Sequence, residues 1–491
     1  MLDWPLAPVT LPGLERLAGL LAQYARSGDL ILLIGDLGAG KTTFARAFIR
    51  ALAANPELEV PSPTFALLQS YETPRVTVHH FDLYRLGGPL EVREIGFEEA
   101  LTSGLALIEW PDRAGDLLPA ERLEMHLADG ADADHRQVRL HGQGGWAERL
   151  AHLATVHGFL ARSGAGDAIV QHLAGDASRR SYARLVGPTG SGLLMDSPPL
   201  ADTPLVKDGK PYWAIAHSAR DVRAFVAIDA RLASYGLSVP AIFRSDFDAG
   251  LLLIEDLGDQ TFGAALAAGV PMRTLYQAAA DVLVELSQRP VPDDLPAYDK
   301  DALLIEASLL LDWYWPQVTG RSPEAAEREE FYLLWTQALA QILATPPAWV
   351  LRDVHSPNLL WLPERAGMRK VGVIDFQDAL AGHAAYDLGS LLRDARLDVP
   401  DALARELLAY YVEQRHLRDH QFDTASFRRA FATLAVQRNT KILGIFARLA
   451  RRDGKPGYLQ HLPRIRAYLA RDLAHEGLAG LQEWYQRHLP G

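Results

Sequence analysis

Apolar residues fall along the chain in short blocks, and the spacing within each block predicts an element. Residues 30–34, Leu-Ile-Leu-Leu-Ile, are a continuous aliphatic run stopped by Gly35, the pattern of a strand buried on both faces. Residues 42–54 put Phe44, Ala47, Phe48 and Ala51 on one side of a helix. Apolar runs at 65–71, 76–81 and 105–110 read as further strands. Strands alternating with helical stretches predict an α/β fold with a partly parallel sheet. Residues 123–127 and 137–140, separated by a polar Asp/Gly/Ala turn, predict a closing hairpin. His141-Gly142-Gln143-Gly144-Gly145 reads as a linker, and a helical pattern begins at Trp146. The domain boundary is therefore expected near 145, giving domains 1–145 and 146–491.

A second cycle of strands follows at 168–173, 182–186 and 193–195, then a helix at 221–235 and a strand at 250–254. Beyond about 260 the pattern is mainly helical, interrupted by strand and loop at 349–378. This predicts a small sheet-rich lobe at about 165–258 and a helical lobe at about 259–491, with no internal repeat.

Composition narrows the class. A chain of 491 residues with 48% hydrophobic and 22% charged residues is long enough for two or three domains with real cores. No aliphatic run approaches the ~20 residues that cross a bilayer. Asp3 stands where a signal peptide needs positive charge, so no export and a cytoplasmic location are expected. The absence of cysteine excludes disulfides, thiolate zinc sites and a cysteine nucleophile. Net charge is −12, with 13 basic and 21 acidic side chains in residues 1–150 and 36 and 40 in the remainder. Neither part has the basic excess that grips a phosphate backbone unaided, so an RNA would be held by a partner.

Two stretches carry candidate chemistry. Gly35-Asp36-Leu37-Gly38-Ala39-Gly40-Lys41-Thr42 fits G-x-x-x-x-G-K-[ST] between a strand and a helix. Glycines let backbone N–H groups converge on phosphate oxygens, and the helix that follows points its positive end at the same place. Lys41 would neutralise the β- and γ-phosphates of ATP, and the Thr42 hydroxyl would ligate Mg²⁺. Gly35, Asp36, Gly38, Ala39, Gly40, Lys41, Thr42 and Thr43 are the expected nucleotide contacts. Glu109 ends the run 105–108 in a Walker-B-like position, a second candidate Mg²⁺ ligand, and Asp82 ends the run 76–81. Either acid alone could equally be a helix cap; with Lys41 and Thr42 they form a set.

The second stretch is Arg352-Asp353-Val354-His355-Ser356-Pro357-Asn358, followed by Val371-Gly372-Val373-Ile374-Asp375-Phe376. One aspartate, Asp353, would orient an acceptor hydroxyl and take its proton, while Asn358 and Asp375 would hold Mg²⁺ on the phosphates. With the lobe order above, this predicts a two-lobed protein-kinase-like α+β domain after the P-loop NTPase domain.

The first set, with Ser62-Pro63-Thr64-Phe65, Phe81-Asp82-Leu83-Tyr84-Arg85 and Ile108-Glu109-Trp110-Pro111, resembles the TsaE family over about residues 1–140. That resemblance implies an ATPase of tRNA threonylcarbamoyladenosine formation that works with a TsaB–TsaD transferase pair and meets tRNA only indirectly. It also implies that Asp82 is essential near the γ-phosphate, that Thr42 and Glu109 bear on magnesium, and that Thr64 lies in a switch-like loop. The second set resembles the aminoglycoside phosphotransferase superfamily over roughly 165–400. Within it, residues 175–182, 194–199, 252–258 and 374–379 look most like the anomeric amino-sugar kinases of the AmgK type. This implies N-acetylmuramate or N-acetylglucosamine as acceptor and a phosphate-covering loop at 175–181 that includes Ser178 and Arg179. It implies as well an adenine-reading hinge at 254–258 that includes Glu255 and Leu257, and a bracing role for Asp387. The usual third-strand lysine is missing: Met195 and Asp196 stand where it would be, and Arg179 or Arg180 could replace it at the α-phosphate. Leu351 replaces the histidine that commonly opens the catalytic motif. An aminoglycoside, choline or another small alcohol as acceptor, and a degenerate regulatory kinase, are the alternatives.

Overall fold

The computed structural model describes residues 1–132, 134–173, 180–187, 190–199 and 203–489. By packing, the chain forms two compact units, residues 1–198 with 242–256, and residues 199–241 with 257–491.

The first unit holds an eight-stranded sheet built from β1 (Leu2–Pro5), β2 (Val9–Thr10), β3 (Leu30–Ile34), β4 (Leu68–Tyr71), β5 (Val78–Asp82), β6 (Leu105–Glu109), β7 (Leu123–Asp129) and β8 (His135–Gly142). The strand order is β1-β8-β7-β3-β6-β5-β4, with β2 also paired to β8. Strands β7, β3, β6 and β5 run parallel, and β8 and β4 flank them antiparallel. Central position explains why β3 is aliphatic throughout: helices cover both faces of a parallel sheet, so neither face can be polar. The carboxyl ends of the parallel strands gather on one edge, where ligands bind in open α/β sheets. There the loop at 35–40 leaves β3, and Asp82 pairs in register with Glu109.

Helix α1 (Leu11–Tyr24) has no counterpart in the sequence reading, although Thr10 caps it by accepting from the Gly13 N–H at 3.3 Å and Pro12 sits in its first turn. Helix α2 (Lys41–Ala53) follows the glycine loop. The 141–145 segment is a tight corner rather than a linker. β8 runs through Gly142, and the next helix begins at Gly145. A Cβ on Gly142 would meet the Trp146 carbonyl at 2.6 Å, which is why glycine stands there.

The helix Gly145–Arg162 leads into a five-stranded antiparallel sheet in the same unit. Its strands are β9 (Ile169–Leu173), β10 (Ser181–Gly187), β11 (Gly190–Asp196), then Leu251–Ile254 and the edge strand Ile242–Asp246. The edge strand escaped the sequence reading because its middle residues are exposed and polar, apart from Phe243. Both sheets share one apolar core. Leu17, Leu20 and Leu21 of α1 and Leu153 of the following helix belong to the same buried cluster as Leu185 and Leu194. Polar contacts reinforce it. The Tyr24 hydroxyl donates to Asp196 Oδ2 at 2.5 Å, and His152 Nε2 lies 2.7 Å from the same oxygen. Gln23 Oε1 lies 2.8 Å from His172 Nδ1. Because strand side chains alternate, Leu194 and Asp196 face α1 and Met195 occupies the opposite face.

The second unit is mainly helical, with three two-stranded pairings among the described residues, Leu205–Lys207 with Lys210–Pro211, Ala348–Val350 with Leu380–Gly382, and Leu359–Trp361 with Val371–Val373. The last two pairings bound the loops at 351–358 and 374–379. The helix Thr424–Arg451, capped by Asp423, is buried along most of its length. Among the described residues, no helix is long and apolar enough to cross a membrane.

Helix α1 lies close against β9: a Cβ on Gly19 would stand 3.1 Å from the Val170 carbonyl oxygen. Gly19→Leu is therefore expected to lower stability by about 1–3 kcal/mol, the usual cost of overpacking. In thermal unfolding the eight-stranded and the five-stranded sheet should lose stability together; an unchanged melting profile would contradict the shared core.

Candidate functional site

The first site is a cavity of about 300 Å³ lined by glycine-loop residues with Ser62, Thr64, Asp82, Tyr84, Glu109 and Trp110. Gly35 is required by packing: a Cβ there would meet the Leu127 carbonyl at 2.3 Å. Gly40 opens α2 at φ +102, which lets the loop turn into the helix. Lys41 is buried, and its Nζ donates to the Gly35 carbonyl at 2.7 Å and the Asp36 carbonyl at 2.8 Å. The ammonium also lies 3.8 Å from the centre of the Trp110 ring. Burial lowers its pKa, and the Glu109, Asp82 and Asp36 carboxylates oppose that shift.

The two strand-end acids are held differently. Glu109 accepts from the Thr42 hydroxyl at 2.9 Å, and its other oxygen lies 3.0 Å from His80 Nε2, with His80 and Glu109 both buried. Asp82 accepts from the Thr64 hydroxyl at 2.7 Å, the Ser62 hydroxyl at 3.1 Å and the Tyr84 N–H at 3.1 Å. The 62–64 loop is thus tied to the acid at the end of β5. Thr42 and Glu109 offer adjacent hard oxygens, the donor type that suits Mg²⁺. Among the described residues no cluster of three or more His, Asp or Glu is arranged to hold a metal alone. A magnesium ion here would therefore take its remaining ligands from phosphate and water, as Mg²⁺ commonly does.

The second site is the pair of loops at 351–358 and 374–379. Buried carboxylates pin the first loop through its backbone. Asp387 accepts from the Leu351 N–H at 2.6 Å and the Arg352 N–H at 2.9 Å, and Asp394 accepts from the Ser356 N–H at 2.7 Å. Asp387 thus braces the loop, as the resemblance implied. Its burial raises its pKa to about 7, against the pull of those two N–H donors. Asn358 Nδ2 donates to the Asp353 carbonyl at 3.0 Å and lies 3.4 Å from Asp375 Oδ2. Gln377 donates to Asp375 Oδ1 at 2.9 Å. Asp353, Asn358 and Asp375 are therefore brought together.

Backbone strain falls at both sites. Trp110, Arg352 and Asp375 are non-glycine residues at φ +59, +73 and +61. Such conformations cost of order 1–3 kcal/mol and persist where surrounding contacts impose them. Here they turn the Trp110 ring over Lys41 and set the Asp353 and Asp375 loops.

Behind Asp353 lies a buried ionic group that the sequence reading missed. Glu306 pairs with Arg352, accepts from Tyr298, and accepts from Lys441 Nζ at 2.9 Å. Arg438 Nη2 donates to Asp353 Oδ1 at 3.3 Å. Burial alone would raise the Asp353 pKa, but Lys441, Arg438, His355 and Arg352 hold it down to about 2. The available signal was a polar run, Gln437 to Lys441, between the apolar stretches Leu434–Val436 and Ile442–Leu443 of the same helix. Glu306 gave none, because only folding brings it to Arg352. His80 was likewise unmarked. His355 is within 3.4 Å of Asn358, a bracing position, and burial lowers its pKa.

Asp196, one of the two residues at the missing-lysine position, is engaged with Tyr24 and His152, which leaves Met195 on the other face. Ser178 and Arg179 lie outside the described residues. Glu255 and Leu257 follow the strand Leu251–Ile254 in a stretch without regular structure.

A glycine loop with strand-end acids and a braced Asp/Asn/Asp set define the class: a P-loop ATPase joined to a kinase-fold phosphotransferase. Residues 11–138 match the family described as threonylcarbamoyl adenosine biosynthesis protein TsaE, and residues 169–422 match the phosphotransferase enzyme family. The N-acetylmuramate/N-acetylglucosamine kinase of Caulobacter vibrioides is 37% identical over 350 residues, covering 68% of this chain and 95% of that protein. The similarly named kinase of Pseudomonas putida is 33% identical over 296 residues, covering 60% of this chain and 80% of that protein. The tRNA threonylcarbamoyladenosine biosynthesis protein TsaE of Rickettsia prowazekii is 44% identical over 113 residues, covering 23% of this chain and 78% of that protein. The chain belongs to the phosphotransferase enzyme family and, over its N-terminal part, to the TsaE family.

The pKa of Glu306 falls from 4.5 to about 2, because Lys441 and Arg352 outweigh the burial that would raise it. A depressed carboxylate contributes stability above its unfolded pKa and loses it as pH falls toward the folded value. Glu306→Gln should destabilise the neutral protein by about 3–5 kcal/mol, because two cations stay buried without their anion. Urea unfolding from pH 7 to 3 should also show a flatter pH dependence below 4.5 than in the parent chain. Unchanged slope and midpoint would contradict the pairing.

Proposed function

We propose that the chain is a bifunctional enzyme. Its N-terminal part is the ATPase of tRNA threonylcarbamoyladenosine modification. Its C-terminal part transfers the γ-phosphoryl group of ATP to the anomeric hydroxyl of N-acetylmuramate or N-acetylglucosamine, a step of cell-wall recycling. The observation that carries this reading is the presence of two different phosphate-handling sets in one chain. The functional division near residue 145 and a cytoplasmic location, where ATP and tRNA are found, belong to the same proposal.

In the ATPase, the backbone of Gly35 to Thr43 cradles the phosphates, and Lys41 moves from the loop carbonyls to the β- and γ-phosphates. Thr42 and Glu109 hold Mg²⁺, which supplies charge neutralisation on the phosphates. Asp82, already tied to Ser62 and Thr64, sits by the γ-phosphate and orients the attacking water. The partner is a TsaB–TsaD-type transferase pair, and the acidic first domain meets tRNA only through it.

In the kinase, Asp353 orients the sugar hydroxyl and accepts its proton as the new O–P bond forms. Asn358 and Asp375 hold Mg²⁺. Glu255 and Leu257 read adenine through the backbone, and Ser178 and Arg179 cover the phosphates. The convergence of Asp353, Asn358 and Asp375 weighs against a degenerate regulatory kinase.

Lys41→Ala should abolish ATP hydrolysis by the first site and tRNA modification in a complemented strain, while sugar phosphorylation persists. Asp353→Asn should do the reverse, reducing sugar phosphorylation at least about a hundredfold, the scale of a lost general base. Retention of full kinase activity in the second variant would remove Asp353 from its role.

A further inference from the structure

Asp353 has two unlike sides. Its side chain is 38% exposed, whereas the side chain of Arg438 behind it is 4% exposed. Arg438 Nη2 donates to Asp353 Oδ1 at 3.3 Å. Among the described residues, Asp353 Oδ2 has no such donor. One oxygen of the carboxylate is therefore held from behind, and the other is open to a ligand.

The helix that carries Arg438, Thr424–Arg451, is anchored independently of Asp353. Gln437 Nε2 donates to the Leu303 carbonyl at 2.9 Å, and Lys441 Nζ donates to Glu306 Oε1 at 2.9 Å. Both acceptors lie on the helix Lys300–Ala307. A close approach fixes the register further along: a Cβ on Gly444 would stand 2.2 Å from the Leu309 carbonyl carbon. Glu306 also pairs with Arg352. Arg438 and Lys441, three residues apart on one face, thus hold two consecutive residues of the catalytic loop, one directly and one through Glu306. Arg438 Nε and Nη1 are buried without a hydrogen-bond partner among the described residues. Unpaired buried N–H groups cost stability, so packing alone does not account for an arginine here. A guanidinium is planar and permanently charged, so it fixes direction as well as charge.

We propose that Arg438 is a positioning residue for phosphoryl transfer: it holds Oδ1 of Asp353 so that Oδ2 faces the acceptor hydroxyl. The proposal rests on the kinase reading above, with Asp353 as the base. As the acceptor oxygen bonds to the γ-phosphorus, its proton passes to Oδ2. The bond from the γ-phosphorus to the β,γ-bridging oxygen breaks, and its electron pair leaves with ADP. Arg438 exchanges no proton and acts only through Asp353. Its hydrogen bond is longer than the usual charge-assisted one of about 2.7–2.9 Å. Catalytic hydrogen bonds commonly tighten once substrate fills the site. A carboxylate left free to rotate would offer Oδ2 in the productive direction for only part of the time, which slows turnover and leaves ATP binding alone.

The test is a double-mutant cycle in the full-length chain. The acceptor is whichever of N-acetylmuramate and N-acetylglucosamine the parent turns over faster, and γ-labelled ATP keeps slow variants measurable. Arg438→Met should lower kcat about ten- to a hundredfold, the scale of one lost hydrogen bond to a charged group, with KM for ATP unchanged within about twofold. Arg438→Lys should recover part of kcat. In an Asp353→Asn background there is no carboxylate to hold, so either Arg438 substitution should change kcat by less than about twofold. Equal losses in both backgrounds, as a merely structural role would give, overturn the proposal, and so does a parent-like kcat in Arg438→Met. Should Arg438→Met fail to fold, Arg438→Lys, which keeps the charge, closes the same cycle. Two results strike the kinase reading itself: full activity in Asp353→Asn alone, and no transfer to either sugar by the parent chain. Either one removes that reading, and the positioning role falls with it.

Discussion

Burial of α1 between two sheets is the constraint on which the first unit depends. Its apolar side chains belong to the same core as β3 and β7 on one hand and β10 and β11 on the other. Apolar burial is non-directional and scales with area, so a helix that fills both cores joins them energetically. Tyr24 and His152 then add direction, because both meet one oxygen of Asp196. The bond to Asp196 is also the main reason why His152 has a raised pKa.

The two sites solve the same chemical problem with opposite use of charge. At the first, one buried lysine stands among acids at the ends of parallel strands, and backbone N–H groups do the rest. At the second, acids belong to loops braced from below by Asp387 and Asp394, and cations come from a distant helix. In each, a residue forced into left-handed backbone aims a functional side chain or the loop that bears it. Local strain of this kind needs a rigid surround, which the buried carboxylates and the close-packed strands provide.

Much of this was legible in the sequence because it depends on local spacing. The Gly35–Thr42 loop, the aliphatic β3, the acids that end β5 and β6, and the 352–358 and 375 loops are all written in contiguous residues. What was not legible depends on contact between distant positions. Glu306 meets Arg352 and Lys441 only after folding, and His80 meets Glu109 across neighbouring strands. Helix α1 went unassigned although Thr10, Pro12 and the spacing of Leu14, Leu17, Ala18 and Leu21 mark it locally; what its own residues do not carry is that it serves two cores. The glycines at 142–145 were read as slack because glycine marks flexible and crowded backbone alike. Crowding is the reason here.

That corner has a bearing on how the chain meets proteases. Cleavage requires a stretch of chain to leave the surface as an extended strand, which loop tips do easily and paired backbone does not. Between the last pairing of β8 and the helix from Gly145, only two residues lie outside regular structure. Nicking at the joint therefore requires local unfolding first, so the two halves resist being cut apart in the folded state.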